Sequence, residues 1–250
     1  MFRKEFPMIY EFLFDQIPDR DRENAYGRNF ESNLHSFPEA RRHWLRIEEA
    51  LQGIDLCSQK IMKNKVRKYL TKKHAGRGWH QLFDTLNEAR AYNYLISLGC
   101  SNVHFIPESI KNGEQTPDLE GIFCSGKLLC EVKTINISDE EAYIRAIDKP
   151  IVQNTKYQLA RPFFMKLRSC ITKAENQLKA YDSSKGARLI AYIFINFDEY
   201  PFCEYKETYF QQIDHYLSEN RVTEVKLVIH NFETAFHKPI NMHFATVVND

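Results

Sequence analysis

The stretch Thr116-Pro117-Asp118-Leu119-Glu120-Gly121-Ile122-Phe123-Cys124, then Ser125-Gly126, then Lys127-Leu128-Leu129-Cys130-Glu131-Val132-Lys133-Thr134 decides how this chain reads. Two strand-like runs flank a pair of residues suited to a two-residue hairpin turn, in which Gly126 tolerates a positive φ. With that turn Asp118 faces Lys133 and Glu120 faces Glu131, so Asp118 and Glu131 become diagonal neighbours within reach of one ion. Side chains alternate along a strand. Asp118, Glu120, Glu131 and Lys133 therefore share one face, while Leu119, Phe123, Leu128, Cys130 and Val132 share the other. The apolar set packs and the charged set is left for chemistry. A turn one residue longer changes the pairing but keeps the alternation along each strand. The plain alternative is a half-exposed hairpin whose Asp118–Lys133 pair is a surface ion pair of little energetic value.

The flanking patterns place the hairpin in an α/β unit. Trp79, Leu82, Phe83, Leu86, Ala89 and Ile96 recur at helical intervals over Gly78 to Ser97, a helix that carries Glu88 beside its apolar stripe. Asp84 lies one turn earlier, so either acid can point toward the hairpin. A strand over Val103 to Pro107 precedes the hairpin, and a helix over Pro162 to Tyr181 follows it. On that helix Leu167, Ile171, Ala174 and Leu178 form an apolar seam; Gln177 and Tyr181, four apart, share a neighbouring face that Lys173 extends by a turn. Leu189-Ile190-Ala191-Tyr192-Ile193-Phe194-Ile195 is a continuous apolar run, the mark of a strand buried on both faces, within Arg188 to Asn196. A helix near Glu207 to Leu217 and strands near Glu224 to Ile229 and Met242 to Val248 extend the sheet.

These residues resemble the PD-(D/E)xK nuclease superfamily, the restriction-endonuclease-like proteins. The pattern is a helix bearing a glutamate, Pro-Asp on one strand, then an acid, any residue and lysine on the next: here Glu88, Pro117-Asp118 and Glu131-Val132-Lys133. Gln177-Leu178-Lys179-Ala180-Tyr181 fits the Gln-x-x-x-Tyr helix of the RecB-type branch. The resemblance covers roughly residues 77 to 200 and leaves both ends outside. It implies a restriction-endonuclease-like core, a central mixed sheet flanked by helices, and a catalytic set of Asp118, Glu131, Lys133, Glu88, Gln177 and Tyr181. It also implies that the main-chain carbonyl of Val132 is a metal ligand, that Gln177 holds the water or a phosphate oxygen, that Tyr181 contacts the backbone, and that cleavage leaves 5′-phosphate ends.

The chemistry follows from residue types. Oxygen donors without nearby thiol or imidazole select a hard cation, so Mg²⁺, with Mn²⁺ able to replace it, is expected between Asp118 and Glu131. Lys133 would orient or deprotonate the attacking water, or offset charge as the phosphorus becomes five-coordinate. The reading is a metal-dependent endonuclease of restriction, defence or repair type, with DNA favoured over RNA. Two alternatives stay open: a catalytically inactive nuclease-fold subunit that only binds DNA, and the same chemistry on RNA. A homodimer is compatible with the pattern without being implied by it.

Ahead of the core, residues 1 to 75 read as a helical segment and residues 76 to 250 as the nuclease-like domain, with His74-Ala75-Gly76-Arg77-Gly78 as the boundary. A helix carrying Trp44, Leu45, Ala50 and Leu51 ends near Gly53. Net charge is only +1 over 250 residues, yet from Lys60 to Arg77 there are eight basic residues and no acid. Lys60, Lys63, Arg67, Lys68, Lys72 and Lys73 in that run, together with Lys173, are candidate phosphate contacts; a solvated helix face is the bland alternative. The six cysteines show no Cys-x-x-Cys spacing, so they read as reduced and mostly buried. His230, His237 and His243 read as structural. No apolar run approaches a membrane span and Met1-Phe2-Arg3-Lys4-Glu5 lacks a signal-peptide core, which makes a cytoplasmic location the expectation.

Overall fold

Five strands in the spatial order β1-β2-β3-β4-β5 make one mixed sheet in the computed structural model of the chain. The structure describes residues 2–18, 30–36, 38–73, 79–107, 115–136, 158–182, 186–195, 202–220 and 223–231. β1 (Ser101–Phe105), β2 (Leu119–Phe123) and β3 (Gly126–Ile135) form an antiparallel meander; β4 (Arg188–Ile195) lies parallel to β3, and β5 (Lys226–Asn231) parallel to β4. The expected α/β architecture, a mixed sheet between helices, is therefore present. Residues 74–78 and the strand expected at Met242 to Val248 lie outside the described residues, as do His237 and His243.

The hairpin turn sits one residue earlier than the glycine signal indicates. Cys124 and Ser125 take the two left-handed positions, with φ of +48° and +64°, and Gly126 opens β3 opposite Phe123. Two L-residues in that region cost about 1–2 kcal/mol each, and the pattern is that of a type I′ turn, whose twist matches the strands it joins. The register consequently moves by two along one strand, pairing Leu119 with Cys130 and Glu120 with Leu129. A shift of two keeps every side chain on its face, which is why alternation alone could not separate the two pairings.

Each face of the sheet is covered, as the parallel half requires. Leu119, Leu128, Cys130, Val132, Ile190, Tyr192 and Phe194 pack toward the helices of the first hundred residues. Those are α1 (Phe2–Glu5), α2 (Pro7–Ile9) running into a π-turn (Tyr10–Phe14), α3 (Phe30–Ser36), α4 (Pro38–Gln52), α5 (Leu56–Arg67) and α6 (His80–Ser97). Leu129, Ile135, Ile193 and Ile195 face α7 (Arg161–Tyr181) and α8 (Phe202–Glu219), through Leu167, Ile171, Leu178, Phe210 and Ile213. The run Ile190 to Ile195 is buried throughout, as its unbroken apolar sequence indicates. On α6 the buried set includes Leu82, Leu86, Ala89 and Leu95, while Ile96, expected in that stripe, is 45% exposed.

Local chemistry fixes the two helices that approach the hairpin from the N-terminal side. Asp55 caps α5 by accepting from the amides of Cys57 and Ser58, and its second oxygen receives the Tyr92 hydroxyl of α6 at 2.9 Å. Where α4 ends, Gly53 lies so close to α6 that a Cβ would fall 1.9 Å from Asn93 Oδ1. The Asn93 amide meanwhile donates to the carbonyls of Ala50 and Ala89. Glu48, 2% exposed, receives the Met8 and Ile9 amides on its two oxygens at 2.9 Å each, satisfying donors that the start of the α2 turn leaves open. One cluster of buried side chains thus runs from Phe2 to Phe194.

Cys100, Cys130 and Cys170 are buried thiols; Cys57 and Cys124 are exposed and equally unbridged. His230 lies against the rings of Tyr192 and Phe194 and bonds the Tyr192 hydroxyl, a packing role. No described helix is long and apolar enough to cross a membrane.

Candidate active site

Asp118 ends the connection into β2, and the observed register carried one residue further sets it directly across from Glu131 instead of diagonal to it. Its Oδ2 accepts the Val132 amide at 2.8 Å, and its own carbonyl receives the Ile106 amide at 3.0 Å. Since the N–H and C=O of one strand residue point toward the same neighbouring strand, the Val132 carbonyl also opens on the Asp118 side. The acid is therefore tied to β1 and β3 at once.

Glu131 and Lys133 lie on the α7 face of β3. Glu131 is 2% exposed and contacts the Lys133 ammonium through Oε1. Gln177 closes the group from α7: its Nε2 donates to Glu131 Oε2 and to the Thr116 carbonyl, each at 2.8 Å, and its Oε1 accepts from Lys133 Nζ at 3.2 Å. One amide thereby joins the segment before β2, the buried acid and the lysine. Glu88 and Asp84 both reach this end of the sheet from α6. Asp84 accepts from Asn136 at 2.9 Å just beyond β3, whereas Glu88 adds to the negative field at Glu131.

Burial pushes the Glu131 carboxyl up to about 9, with Asp118 and Glu88 adding to the rise and Lys133 opposing it. From the ordinary carboxylate value of 4.5 up to about 9, the folded chain therefore holds a proton there that the unfolded chain has lost, and stability falls as pH rises through that window. Without divalent cation, the melting temperature is expected to drop between pH 5 and pH 8. Glu131→Gln should flatten that fall and raise the melting temperature at pH 8, by about 2–4 °C for each kcal/mol of relieved charge. Thermal melts at both pH values in chelator decide it; a variant less stable at pH 8 than at pH 5 by the wild-type margin would refute the assignment.

Not every expected residue joins this group. Tyr181, one turn past Gln177, has its ring 5.6 Å from Lys127 Nζ near the turn end of the hairpin, and it packs beside Leu129 and Leu178. Of the basic run, Lys63 pairs with Glu11 and lies over Phe12, and Lys72 lies over Tyr69. Lys60, Arg67, Lys68 and Lys73 are exposed, as is Lys173 on α7. The residue missing from the expected site is Lys65, whose Nζ stands 2.6 Å from Glu88 Oε2 and 3.8 Å from Asp118 Oδ1. It lies between Met62 and Val66, two of the three buried positions of α5, and the docking of that helix draws its stem inward.

Among the described residues no three Asp, Glu, His or Cys side chains form a ready metal cage. The donor set nevertheless fits a hard cation: the acids Asp118 and Glu131 face each other where β2 and β3 meet, Glu131 buried, with the Lys65 ammonium near Asp118 and the Lys133 ammonium in contact with Glu131. Mg²⁺ needs only one or two carboxylates and retains several waters. No family model matches the chain, and neither a curated protein nor a solved structure does.

Proposed function

We propose that this chain is a Mg²⁺-dependent nuclease of the PD-(D/E)xK kind, restriction-endonuclease-like in its core and acting on DNA. One observation carries the reading: Asp118 just before β2, Glu131 and Lys133 on β3 and Gln177 on α7 meet at one end of the sheet through contacts of 2.8 to 3.2 Å, Asp118 with the Val132 amide and Gln177 with Glu131 and Lys133. Asp118, Glu131 and the Val132 carbonyl would hold the ion. When bound, it polarises the scissile phosphate and lowers the pKa of a coordinated water. Lys133 keeps an ammonium on the same face as Glu131, where it offsets charge as the phosphorus gains its fifth oxygen. Gln177 is a positioning residue that fixes the rotamers of Glu131 and Lys133 through its two ends.

The direct test is incubation of the purified chain with linear, circular and single-stranded DNA and with RNA, in Mg²⁺ or in chelator. Mg²⁺-dependent cleavage of DNA is the expected result. No cleavage of any substrate would move the reading to a binding subunit, and cleavage confined to RNA would change the substrate class.

Exposed bases on and after α5 supply a backbone contact that positions without reading sequence. Lys60 and Arg67, seven apart, share a helix face. Arg67→Glu combined with Lys73→Glu should lower the slope of log affinity against log salt on duplex DNA by about 2, near 0.9 for each lost phosphate contact. A titration in chelator measures it, and an unchanged slope would make this helix a solvated face only.

A further inference from the structure

Lys65 differs from the other bases of its run in being almost enclosed. Its side chain is 11% exposed, its ammonium lies 5.6 Å from the Phe105 ring centre, and it stands between Glu88 and Asp118, which are themselves 13% and 20% exposed. The backbone beneath it is fixed: Asp55 caps α5, and Met62 and Val66 on either side are completely buried. A charge so placed is poorly hydrated, and its attraction to nearby carboxylates is little screened. The 2.6 Å contact to Glu88 and the longer 3.8 Å approach to Asp118 describe an ammonium anchored on the helix acid and leaning toward the strand acid.

We propose that Lys65 is an internal counter-cation which competes with the divalent ion for Asp118, and which turns to a substrate phosphate when that ion enters. The inference rests on the metal-dependent reading above. The lysine occupies the electrostatic role of a cation at Asp118, so the ion must displace that interaction and binds more weakly than the two carboxylates alone would allow. A phosphate diester arriving beside the site gives the released ammonium a new anionic partner. By linkage, phosphate and ion then strengthen each other's binding, with no movement of the sheet required. The effect is a divalent site that fills preferentially when substrate is present.

The test is calorimetric titration of the full chain with Mn²⁺, alone and with a non-cleavable phosphorothioate duplex, for wild type, Lys65→Met and Lys65→Arg. Circular dichroism verifies that each is folded. Lys65→Met should bind Mn²⁺ alone about tenfold more tightly than wild type, within the usual range of coupling between sites, and should gain no further affinity from the duplex. Lys65→Arg, which keeps the charge, should retain the weaker affinity and the gain on adding duplex. Unchanged or weaker Mn²⁺ binding by folded Lys65→Met, beside measurable binding by wild type, overturns the counter-cation and leaves the metal site standing. Absence of Mn²⁺ binding in wild type and in both variants overturns the metal reading together with it. If Lys65→Met does not fold, Lys65→Gln takes its place with the same expected outcomes.

Discussion

Asp118→Asn is expected to reduce Mg²⁺-dependent cleavage by a factor on the order of 10³ or more while leaving the fold intact. An ion that stabilises the transition state by several kcal/mol loses that much when a charged ligand is removed, and each 1.4 kcal/mol or so is a factor of ten in rate. Asparagine is the informative replacement because it separates charge from structure. Asp118 holds the Val132 amide through Oδ2 at 2.8 Å, and the asparagine carbonyl oxygen can accept the same N–H, so the junction between β2 and β3 survives. Alanine would remove both functions and leave a half-buried amide unsatisfied, at about 1–3 kcal/mol. The measurements are single-turnover cleavage and a thermal melt. A variant cleaving within tenfold of wild type would remove Asp118 from the ligand set.

Lys133→Met is expected to lower turnover by about 10²–10⁴-fold, the usual range for a group that assists proton transfer or offsets transition-state charge. It should leave Mn²⁺ binding intact or tighter, because the lysine is not in the proposed ligand set, its ammonium no longer competes at Glu131, and Gln177 continues to hold that side chain from its other oxygen. Methionine keeps the length of the stem, so the half-buried face toward α7 remains filled. Rate and ion affinity must be measured on the same preparation. Activity at the wild-type level would eliminate Lys133 from the chemistry, and a parallel loss of ion affinity would recast it as support for Glu131.

Much of this site could be read from residue order because strand alternation and the four-residue helical repeat are short-range rules. Asp118, Glu131 and Lys133 fall on one face with either two-residue turn, Cys124-Ser125 or Ser125-Gly126, and Gln177 follows from the apolar seam next to it on α7. Pairing was not legible, since Cys124 and Ser125 adopt left-handed conformations where Gly126 offered the cheaper one. Tyr181 shows the limit of the helical repeat. Four residues share a face yet lie about 6 Å apart along the axis, enough to set the ring beside Lys127 and away from Glu131. Lys65 looked like one of eight equivalent bases because enclosure depends on where α5 docks, which periodicity within α5 alone does not disclose.

The continuous packing from Phe2 to Phe194 bears on how such a chain can be shortened. A fragment starting at Trp79 would keep the hairpin, α7 and the central strands, yet would strip Phe83 of the Trp44 ring on α4 and Phe105 of its cover by α5. An apolar expanse of that kind promotes self-association. Trimming the N-terminal helices would yield an aggregation-prone fragment, so they are as much a part of this fold as the strands beside its acids.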